Sequence, residues 1–285
     1  MVVTYRSAFF TNNHANRLFY RSWVIDQVPS GVVVIVHGIN SHSGYFENFA
    51  RLLTERRYEV LAFDLSGHGR SDGQRLFVKN YKDMISDIDE FVGIANADKP
   101  SIPVFLFGHC MGSVLCGIYA LLHPNKLKGI ISESIPLNLD SSKLFSLMIN
   151  FLARIVPEMG LIRLPEQHTS RDLETVALIR GDTLLGSRKQ PVKTIEQLLS
   201  AIKFLKRNLY RMRLPLLILH GTADRIADPS GSFYYYRKSG SRLKEIKLYE
   251  GYYHNLVNER YNSMIMTDIF SWLCRNTRSS PKDMG

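Results

Sequence analysis

The sequence predicts an α/β fold: a mostly parallel, doubly wound sheet that carries an inserted helical cap. Short apolar strands alternate with helical segments, and this alternation predicts right-handed βαβ units in a parallel sheet. The alternation stops at residue 137 and resumes at residue 214, so we expect a core from residues 1–136 and 214–285 and a cap from residues 137–213. With 285 residues, 45% of them hydrophobic, the chain is long enough to bury one large core.

The elements before the cap follow from the spacing of their apolar residues. Two runs around the polar turn TNNHAN, residues 3–10 and 18–25, predict an antiparallel hairpin at a sheet edge. The run VVVIVHG is continuously β-branched, which is typical of a strand buried on both faces. The remaining elements follow in this order: a helix over 45–57, the strand YEVLAFD, a helix over 78–95, the strand VFLFG, a helix over Met111–Leu122 and the strand LKGIISES.

Between residues 137 and 213 the pattern turns to helices, with no convincing strand. Proline and glycine interrupt regular helices, and here they stand at Pro157, Pro165, Gly181, Gly186 and Pro191. After this segment come the strand LPLLILHG, a helix over 232–238, the strand KEIKLYEG and a last helix over 259–275. The resumed alternation indicates that the cap is an insertion into one fold.

Composition and charge exclude several classes of protein. No run of 18 apolar residues and no signal-peptide pattern is present, so we expect a cytoplasmic protein without a spanning helix. The three cysteines, Cys110, Cys116 and Cys274, show no metal-binding spacing, so we expect neither a disulfide framework nor a metal. The net charge is +10, and residues 137–213 contain 13 basic and 7 acidic residues. Such an excess attracts anionic partners, but no nucleic-acid recognition motif accompanies it.

The stretch FLFGHCMGSV carries the clearest chemical signal. It places Cys110 in a G-x-nucleophile-x-G frame between an apolar strand and an apolar helix. In such a tight turn only residues without bulky side chains fit at both flanks, and Gly108 and Gly112 occupy them. The turn lifts the nucleophile to a helix N-terminus, where free N–H groups and the helix dipole stabilise a developing anion. Cys110 is therefore the candidate nucleophile.

Two further residues stand at strand ends in the order that a catalytic triad requires. Asp224 in HGTADRIAD follows the strand LPLLILHG, and His254 in EGYYHNLV follows the strand EIKLYEG. Nucleophile, acid and histidine in this order are typical of α/β hydrolases. His254 would take the Cys110 proton and later activate water, while Asp224 would fix the histidine tautomer. The backbone N–H groups of Met111 and Ile39 are the candidate oxyanion donors.

Together these stretches resemble the monoacylglycerol lipase branch of the α/β hydrolases. The resemblance runs along nearly the whole chain, through HGINSHSGYFENFARLL, FDLSGHGRSDGQR, PVFLFGHCMGS, HTSRDLE, LPLLILHGTADRIADPSGS and IKLYEGYYHNLVNE. It implies a doubly wound sheet with a helical cap, hydrolysis of a fatty acyl ester of glycerol, and no cofactor. By motif, it assigns nucleophile, acid and base to Cys110, Asp224 and His254, and oxyanion donors to Ile39 and Met111.

The sequence departs from the family's pattern at two positions. Ser113 stands where the family has a second glycine, and Cys110 stands where it has serine. A helix N-terminus and a neighbouring histidine lower the pKa of a thiol, so we expect a thiolate near neutral pH. A tetrahedral intermediate expels a thiolate more readily than an ordinary alkoxide. Cysteine in this frame therefore suits activated acyl groups such as thioesters and aryl esters.

Three interpretations of Cys110 remain open at this stage. It is a native nucleophile of a Cys-His-Asp triad, a replacement of an original serine that leaves a ligand-binding protein with slow turnover, or a structural cysteine. Sulfur is larger than oxygen, so a site shaped for serine fits it poorly. Misplacement of a reacting atom by about 1 Å can cost about 100-fold in rate.

Two amphipathic segments of the cap point to a lipid substrate. SSKLFSLMINFLARIVPEMGLI spaces apolar residues along one wide helical stripe, and TIEQLLSAIKFLKRNLYRMR carries five basic residues from Lys203 to its end. A stripe of this kind either covers the core and pocket or rests on a lipid surface. We therefore expect a lipid acyl ester as substrate and peripheral contact of the cap with a membrane. Lysophospholipase, acyl thioesterase and aminopeptidase activities are the alternatives, because fold does not fix substrate.

Overall fold

Ten strands and eight helices are present in the computed structural model, which describes residues 1–97, 99–139, 142–185, 189–260 and 262–278. The strands are β1 (Val3–Thr11), β2 (Arg17–Ile25), β3 (Gly31–Val36), β4 (Tyr58–Phe63), β5 (Val104–His109), β6 (Gly129–Glu133), β7 (Gly160–Arg163), β8 (Lys189–Pro191), β9 (Leu216–Gly221) and β10 (Lys244–Tyr249). The helices are α1 (Glu47–Glu55), α2 (Tyr81–Ala97), α3 (Met111–Leu122), α4 (Lys143–Ile155), α5 (Leu173–Gly181), α6 (Val192–Asn208), α7 (Ser230–Lys238) and α8 (Ser263–Arg278). Outside 137–213 every predicted element is present, with shifts of a few residues at its ends.

Eight of the strands form one sheet in the order β1-β2-β4-β3-β5-β6-β9-β10. β1 and β2 form the predicted antiparallel hairpin at its edge, β2 is antiparallel to β4, and the other neighbours are parallel. The carboxyl ends of the parallel strands therefore meet at one edge of the sheet. In α/β proteins this edge is where ligands bind.

β3 shows why the sheet is buried on both faces. Val32, Val34 and Val36 belong to a core cluster that includes residues of α2, α3 and α6. Val33 and Ile35 belong to a second cluster, which includes residues of α1 and α8. Successive side chains of a strand point to opposite faces, so helices cover both sides of the sheet. A continuous β-branched run is what a central strand of such a sheet requires.

Residues 137–213 contain α4, α5, α6 and a small antiparallel sheet of β7 and β8. The prediction that this segment lacks strands was therefore wrong. β7 has 4 residues, all exposed, and β8 has 3, so neither is long enough to produce a recognisable alternation. α6 contacts α3 of the central fold, and Ile149 and Ala153 of α4 pack against Val192 and Ile195 of α6. The limits of the cap, residues 137 and 213, stay a prediction.

Candidate active site

Cys110 occupies the turn between β5 and α3. Its backbone has φ 52° and ψ −118°, a region that costs a non-glycine residue about 1–3 kcal/mol. A Cβ on Gly108 would overlap the Gly112 carbonyl oxygen, and a Cβ on Gly112 would overlap the carbonyl oxygens of Val36 and His37. The backbone is therefore as tight on both sides of the cysteine as the motif predicts. A purely structural cysteine would not require this strain, so the geometry favours a nucleophile turn.

We expect Gly112→Ala to lower the free energy of unfolding by about 3 kcal/mol, because its methyl group would force apart β3 and the start of α3. Gly93→Ala is the matched control. Gly93 lies in α2, and a Cβ there meets no atom within 4 Å, so alanine should stabilise the protein by up to about 1 kcal/mol. Urea unfolding followed by circular dichroism measures both variants. Equal stability of the two would contradict the tight packing of the turn.

Asp224 and His254 meet at the carboxyl edge of the sheet. Oδ2 of Asp224 lies 2.7 Å from Nδ1 of His254, and both side chains are buried. A carboxylate only accepts hydrogen bonds, so Nδ1 carries a proton and Nε2 of the neutral ring is an acceptor. Oδ1 of Asp224 accepts the backbone N–H groups of Ile226 at 2.8 Å and Ala227 at 3.0 Å. These contacts fix the carboxylate and, through it, the tautomer of His254.

Burial and charge set the protonation of this pair. Burial lowers the pKa of His254 below its ordinary 6.5, and the Asp224 carboxylate opposes this shift only in part. Burial also acts against ionisation of Asp224, but His254, His220 and backbone N–H groups outweigh it and hold the pKa of this carboxyl far below its usual range. At neutral pH His254 is therefore a neutral base beside an ionised Asp224.

The backbone N–H groups of Met111 and Ile39 stabilise negative charge on the Cys110 sulfur and so act to lower its pKa. The loop that carries Ile39 is held by His37. Nε2 of His37 accepts the N–H of Leu65 at 2.9 Å, so Nδ1 bears the proton and donates it to the carbonyl of the next residue at 2.8 Å. Of the five residues that the sequence singled out, Ile39, Cys110 and His254 line one cavity, Met111 follows Cys110 in the chain, and Asp224 contacts His254.

The Cys110 thiol is protonated at neutral pH. Burial raises the pKa of Cys110 to about 12, and the charges of Asp224 and Glu133 add to the shift. The N–H groups of Met111 and Ile39 lower the pKa, but by less than burial raises it. The expectation of a thiolate was therefore wrong: a buried helix N-terminus does not compensate for the loss of water around the charge. Attack by this sulfur requires transfer of its proton to a base.

His220, at the end of β9, is a buried contact of Asp224 that the sequence analysis did not single out. Its Nε2 lies 3.1 Å from Oδ2 of Asp224 and 2.9 Å from the Ala227 carbonyl oxygen. Both are acceptors, so Nε2 carries a proton, while Nδ1 lies 2.6 Å from the Ser232 hydroxyl. The sequence did contain a signal for His220, because it is the first residue of HGTAD, the stretch that ends in Asp224. The carboxylate of Asp224 therefore lies between two histidines.

A second buried histidine and carboxylate, His109 and Glu133, lie beside His254. Nδ1 of His109 is 2.7 Å from Oε2 of Glu133, and the His109 ring packs edge-to-face on His254 at 4.8 Å between centroids. His109 directly precedes Cys110 in the sequence, so its position next to the candidate nucleophile could have identified it as a residue of the site. Glu133 ends an ordinary buried strand and shows no motif.

The cavity over Cys110 is small in this conformation, about 40 Å³. Pockets that hold ligands are typically about 300–1,000 Å³. The walls come from the sheet edge and from residues 137–213 together: Ile39, His109 and His254 on one side, Leu164, Thr169 and Ile179 on the other. A cavity of this volume does not hold an acyl chain, so its walls must open further before a lipid substrate binds over Cys110.

α4 turns a broad apolar face to solvent. Leu144 is 77% exposed and Phe151 62% exposed, and Leu147, Met148 and Ile155 are also exposed. Only Ile149 and Ala153 of this helix are buried. The apolar stripe therefore does more than cover the interior, and a contiguous exposed face of this kind marks an interaction surface. In the part of the chain that the structure describes, no helix combines the length and apolarity needed to cross a bilayer.

The chain is similar to known hydrolases along most of its length. The model of the Hydrolase_4 family, described as serine aminopeptidase, S33, matches residues 27–261. The chain is 32% identical to the monoglyceride lipase of Rattus norvegicus over 267 residues, which cover 92% of this chain and 88% of the rat protein. It is 28% identical to the monoacylglycerol lipase of Mycolicibacterium smegmatis over 259 residues, which cover 90% of this chain and 92% of that protein.

Solved structures show the same similarity in three dimensions. The crystal structure of Paleococcus ferrophilus monoacylglycerol lipase superposes with a TM-score of 0.78 at 26% identity, covering 97% of this chain and 100% of that one. A soluble variant of monoglyceride lipase from Saccharomyces cerevisiae, in complex with a substrate analog, gives a TM-score of 0.84 at 22% identity, covering 98% and 97%. At 22% identity the likeness concerns the fold alone.

Proposed function

The chain belongs to the Hydrolase_4 family, and we propose that it hydrolyses a carboxylic ester of a lipid with Cys110 as the nucleophile. Its fold is the α/β-hydrolase fold and its relatives include monoacylglycerol lipases, so the predicted fold class and resemblance are confirmed. One observation carries the catalytic proposal. The His254 side chain, 2.7 Å from Asp224, lines the same cavity as Cys110, which stands in a strained turn where two backbone N–H groups stabilise negative charge on its sulfur.

In the acylation step, His254 takes the proton of the Cys110 thiol as its sulfur attacks the ester carbonyl. The carbonyl oxygen becomes an oxyanion, which accepts hydrogen bonds from the N–H groups of Ile39 and Met111. Collapse of this tetrahedral intermediate breaks the carbon–oxygen bond of the ester, and the imidazolium of His254 protonates the departing alcohol. The product is a thioester between the acyl group and Cys110. Asp224 stabilises the imidazolium that forms in between.

In the deacylation step, His254 takes a proton from water as the water oxygen attacks the thioester carbonyl. The same two N–H groups hold the second oxyanion. Its collapse breaks the carbon–sulfur bond, the fatty acid leaves, and the sulfur recovers its proton from the imidazolium of His254. The cycle needs no group from outside the chain other than substrate and water.

The substrate class follows from the relatives and from the walls of the site. We assign a monoacylglycerol as substrate because the rat and mycobacterial relatives are a monoglyceride lipase and a monoacylglycerol lipase. Such a molecule exceeds the cavity of about 40 Å³, so the cavity walls, which include Leu164 and Ile179, must open further before it binds over Cys110. The exposed apolar face of α4 lies in the same stretch, residues 137–213, that supplies these two residues.

A hydrolysis panel tests this assignment. The protein is incubated with monoacylglycerols, lysophospholipids and acyl thioesters, and fatty acid release is measured. In parallel, peptide mass spectrometry after incubation with a p-nitrophenyl acyl ester locates the adduct on Cys110. Release from monoacylglycerol supports the assigned substrate. Neither adduct nor turnover with any ester would contradict Cys110 as a nucleophile.

Acyl thioesters are the second candidate substrate, and the raised pKa of Cys110 favours them. With a pKa of about 12, the Cys110 thiolate is a poorer leaving group than a substrate thiol with an ordinary pKa of about 8.5. The tetrahedral intermediate of a thioester therefore collapses forward. That of a glycerol ester mostly collapses backward, because an alcohol leaves less readily than either thiol, so acylation by a glycerol ester is slow. A higher kcat/KM for thioesters than for monoacylglycerols in the panel would select this candidate.

The exposed face of α4 predicts binding to a lipid surface. We expect liposomes that contain anionic phospholipid to retain the protein at low salt, and the double variant Leu147→Glu/Phe151→Glu to lose most of this retention. Leu122→Glu is the matched control, since Leu122 is also exposed but ends α3. Cosedimentation measures bound protein. Equal retention of both variants would show that α4 is not the docking face.

A further inference from the structure

Glu133 is a carboxylate with no exposed surface and no part in the proposed triad. Its two oxygens have different partners: Oε2 lies 2.7 Å from Nδ1 of His109, and Oε1 accepts the backbone N–H of Val257 at 2.8 Å. A buried carboxylate is costly unless such hydrogen bonds satisfy it. One side chain therefore joins the strand before the nucleophile to the loop that follows His254.

The backbone around Glu133 contacts the same two regions. Its carbonyl oxygen accepts the N–H of Cys110 at 3.0 Å. The Ser113 hydroxyl lies 2.9 Å from the same oxygen and closer still to the Gly108 carbonyl oxygen. The next residue, Ser134, donates its hydroxyl to the carbonyl of His254 at 2.7 Å. Ser113 is one of the two positions at which the sequence departs from the family's pattern. Its hydroxyl contacts the end of β6, where Glu133 stands. The end of β6 thus touches the nucleophile turn on one side and the His254 loop on the other.

The contact with Glu133 fixes the proton of His109. Because the carboxylate is only an acceptor, Nδ1 of His109 must donate. The ring lines the cavity over Cys110 and packs on His254 with centroids 4.8 Å apart and planes at 66°. The orientation of the His109 ring therefore depends on Glu133. This ring is the part of the cavity wall that packs on His254.

We infer that Glu133 is a positioning residue of the hydrolytic site. It holds the His109 ring and the loop that follows His254, so that His254 stays aligned with Cys110. This inference rests on the proposed function, since it assigns His254 as the base. Glu133 itself touches no reacting atom.

Glu133→Gln tests this inference with little change of shape. The glutamine oxygen can still accept the Val257 N–H, but its amide nitrogen then faces Nδ1 of His109 and can only donate. His109 must therefore change from the Nδ1–H to the Nε2–H tautomer. We expect 15N NMR of the imidazole nitrogens to show this exchange, and kcat for the best substrate of the panel to fall about 10- to 100-fold with KM unchanged.

Glu59→Gln is the matched control, because Glu59 is another buried glutamate of the sheet whose carboxylate pairs with Lys99. It should leave both the His109 tautomer and kcat unchanged. If Glu133→Gln does not fold, His109→Gln replaces it: this amide can still donate to Glu133, and kcat should fall in the same range.

An unchanged tautomer, or an unchanged kcat in folded Glu133→Gln, would overturn the inference. So would an equal fall of kcat in Glu59→Gln. The tautomer is read without substrate, so failure of the proposed function, seen as no turnover by the unaltered protein, is distinguishable from failure of this inference.

Discussion

Cys110→Ser is expected to raise the rate of monoacylglycerol hydrolysis by about 100-fold, the factor that about 1 Å of misplacement of a reacting atom costs. Two physical reasons support this direction. The thiol is protonated, with a pKa of about 12, so sulfur has lost the advantage of being a ready anion. Its thiolate also leaves the tetrahedral intermediate more readily than a glycerol alkoxide, whereas a serine alkoxide does not.

The comparison of substrates makes this experiment decisive. Hydrolysis of a p-nitrophenyl ester, whose leaving group departs easily, should change far less than hydrolysis of a monoacylglycerol. Cys274→Ser is the control for the chemical change, because this cysteine lies in α8 and is exposed. A loss of glycerol esterase activity in Cys110→Ser would identify the cysteine as a native nucleophile for activated acyl groups, and the replacement of serine would then be the wrong interpretation.

Asp224→Asn is expected to reduce kcat/KM by about 10⁴-fold with any substrate that the protein hydrolyses. An asparagine amide can donate to Nδ1 of His254 and so favours the tautomer in which Nε2 carries the proton and cannot act as a base. Asp228→Asn is the matched control from the same loop. Asp228 is exposed, and its carboxylate accepts the backbone N–H of Ser230, so kcat/KM should not change. Equal rates for the two variants would remove Asp224 from the mechanism.

The pH profile of the Asp224→Asn variant provides a second measure. Burial lowers the pKa of His254 and the charge of Asp224 raises it, with a net value below 6.5. The neutral, competent base therefore persists below pH 6.5, and kcat/KM should fall only at lower pH. Removing the carboxylate charge lowers the pKa further, so the acid limb of Asp224→Asn should move to still lower pH. An acid limb that moves to higher pH would contradict the assignment of Asp224 as the partner of His254.

Much of the fold and of the candidate site was predictable because the signals were local. The unbroken β-branched run of VVVIVHG predicts a strand that is buried on both faces. HGTADRIAD and EGYYHNLV each follow a parallel strand, and the ends of such strands lie at the same edge of the sheet. The short strands β7 and β8 were missed because 4 and 3 residues are too few for an alternating pattern. Glu133 and its link to Val257 were missed because the two residues are 124 positions apart in the chain.

The thiolate was predicted wrongly for a related reason. The helix N-terminus and the histidine beside Cys110 are visible in the sequence, and each favours an ionised sulfur. Burial of the thiol, and the approach of the Asp224 and Glu133 charges, depend on strands and loops that come together only in the folded chain. Burial and these two charges raise the pKa of Cys110 by more than the backbone N–H groups lower it.

By itself the sequence determined the α/β fold, the strained turn at Cys110, the order of nucleophile, acid and base, and the apolar stripe of α4, because each is recorded in local spacing or in the order of motifs along the chain. The tertiary structure alone decided that the thiol is un-ionised, that residues from 137–213 line part of the small cavity over Cys110, that the α4 stripe is exposed, and that Glu133 joins His109 to the loop after His254. These depend on solvent exclusion and on charges that approach from distant segments, which no local pattern records.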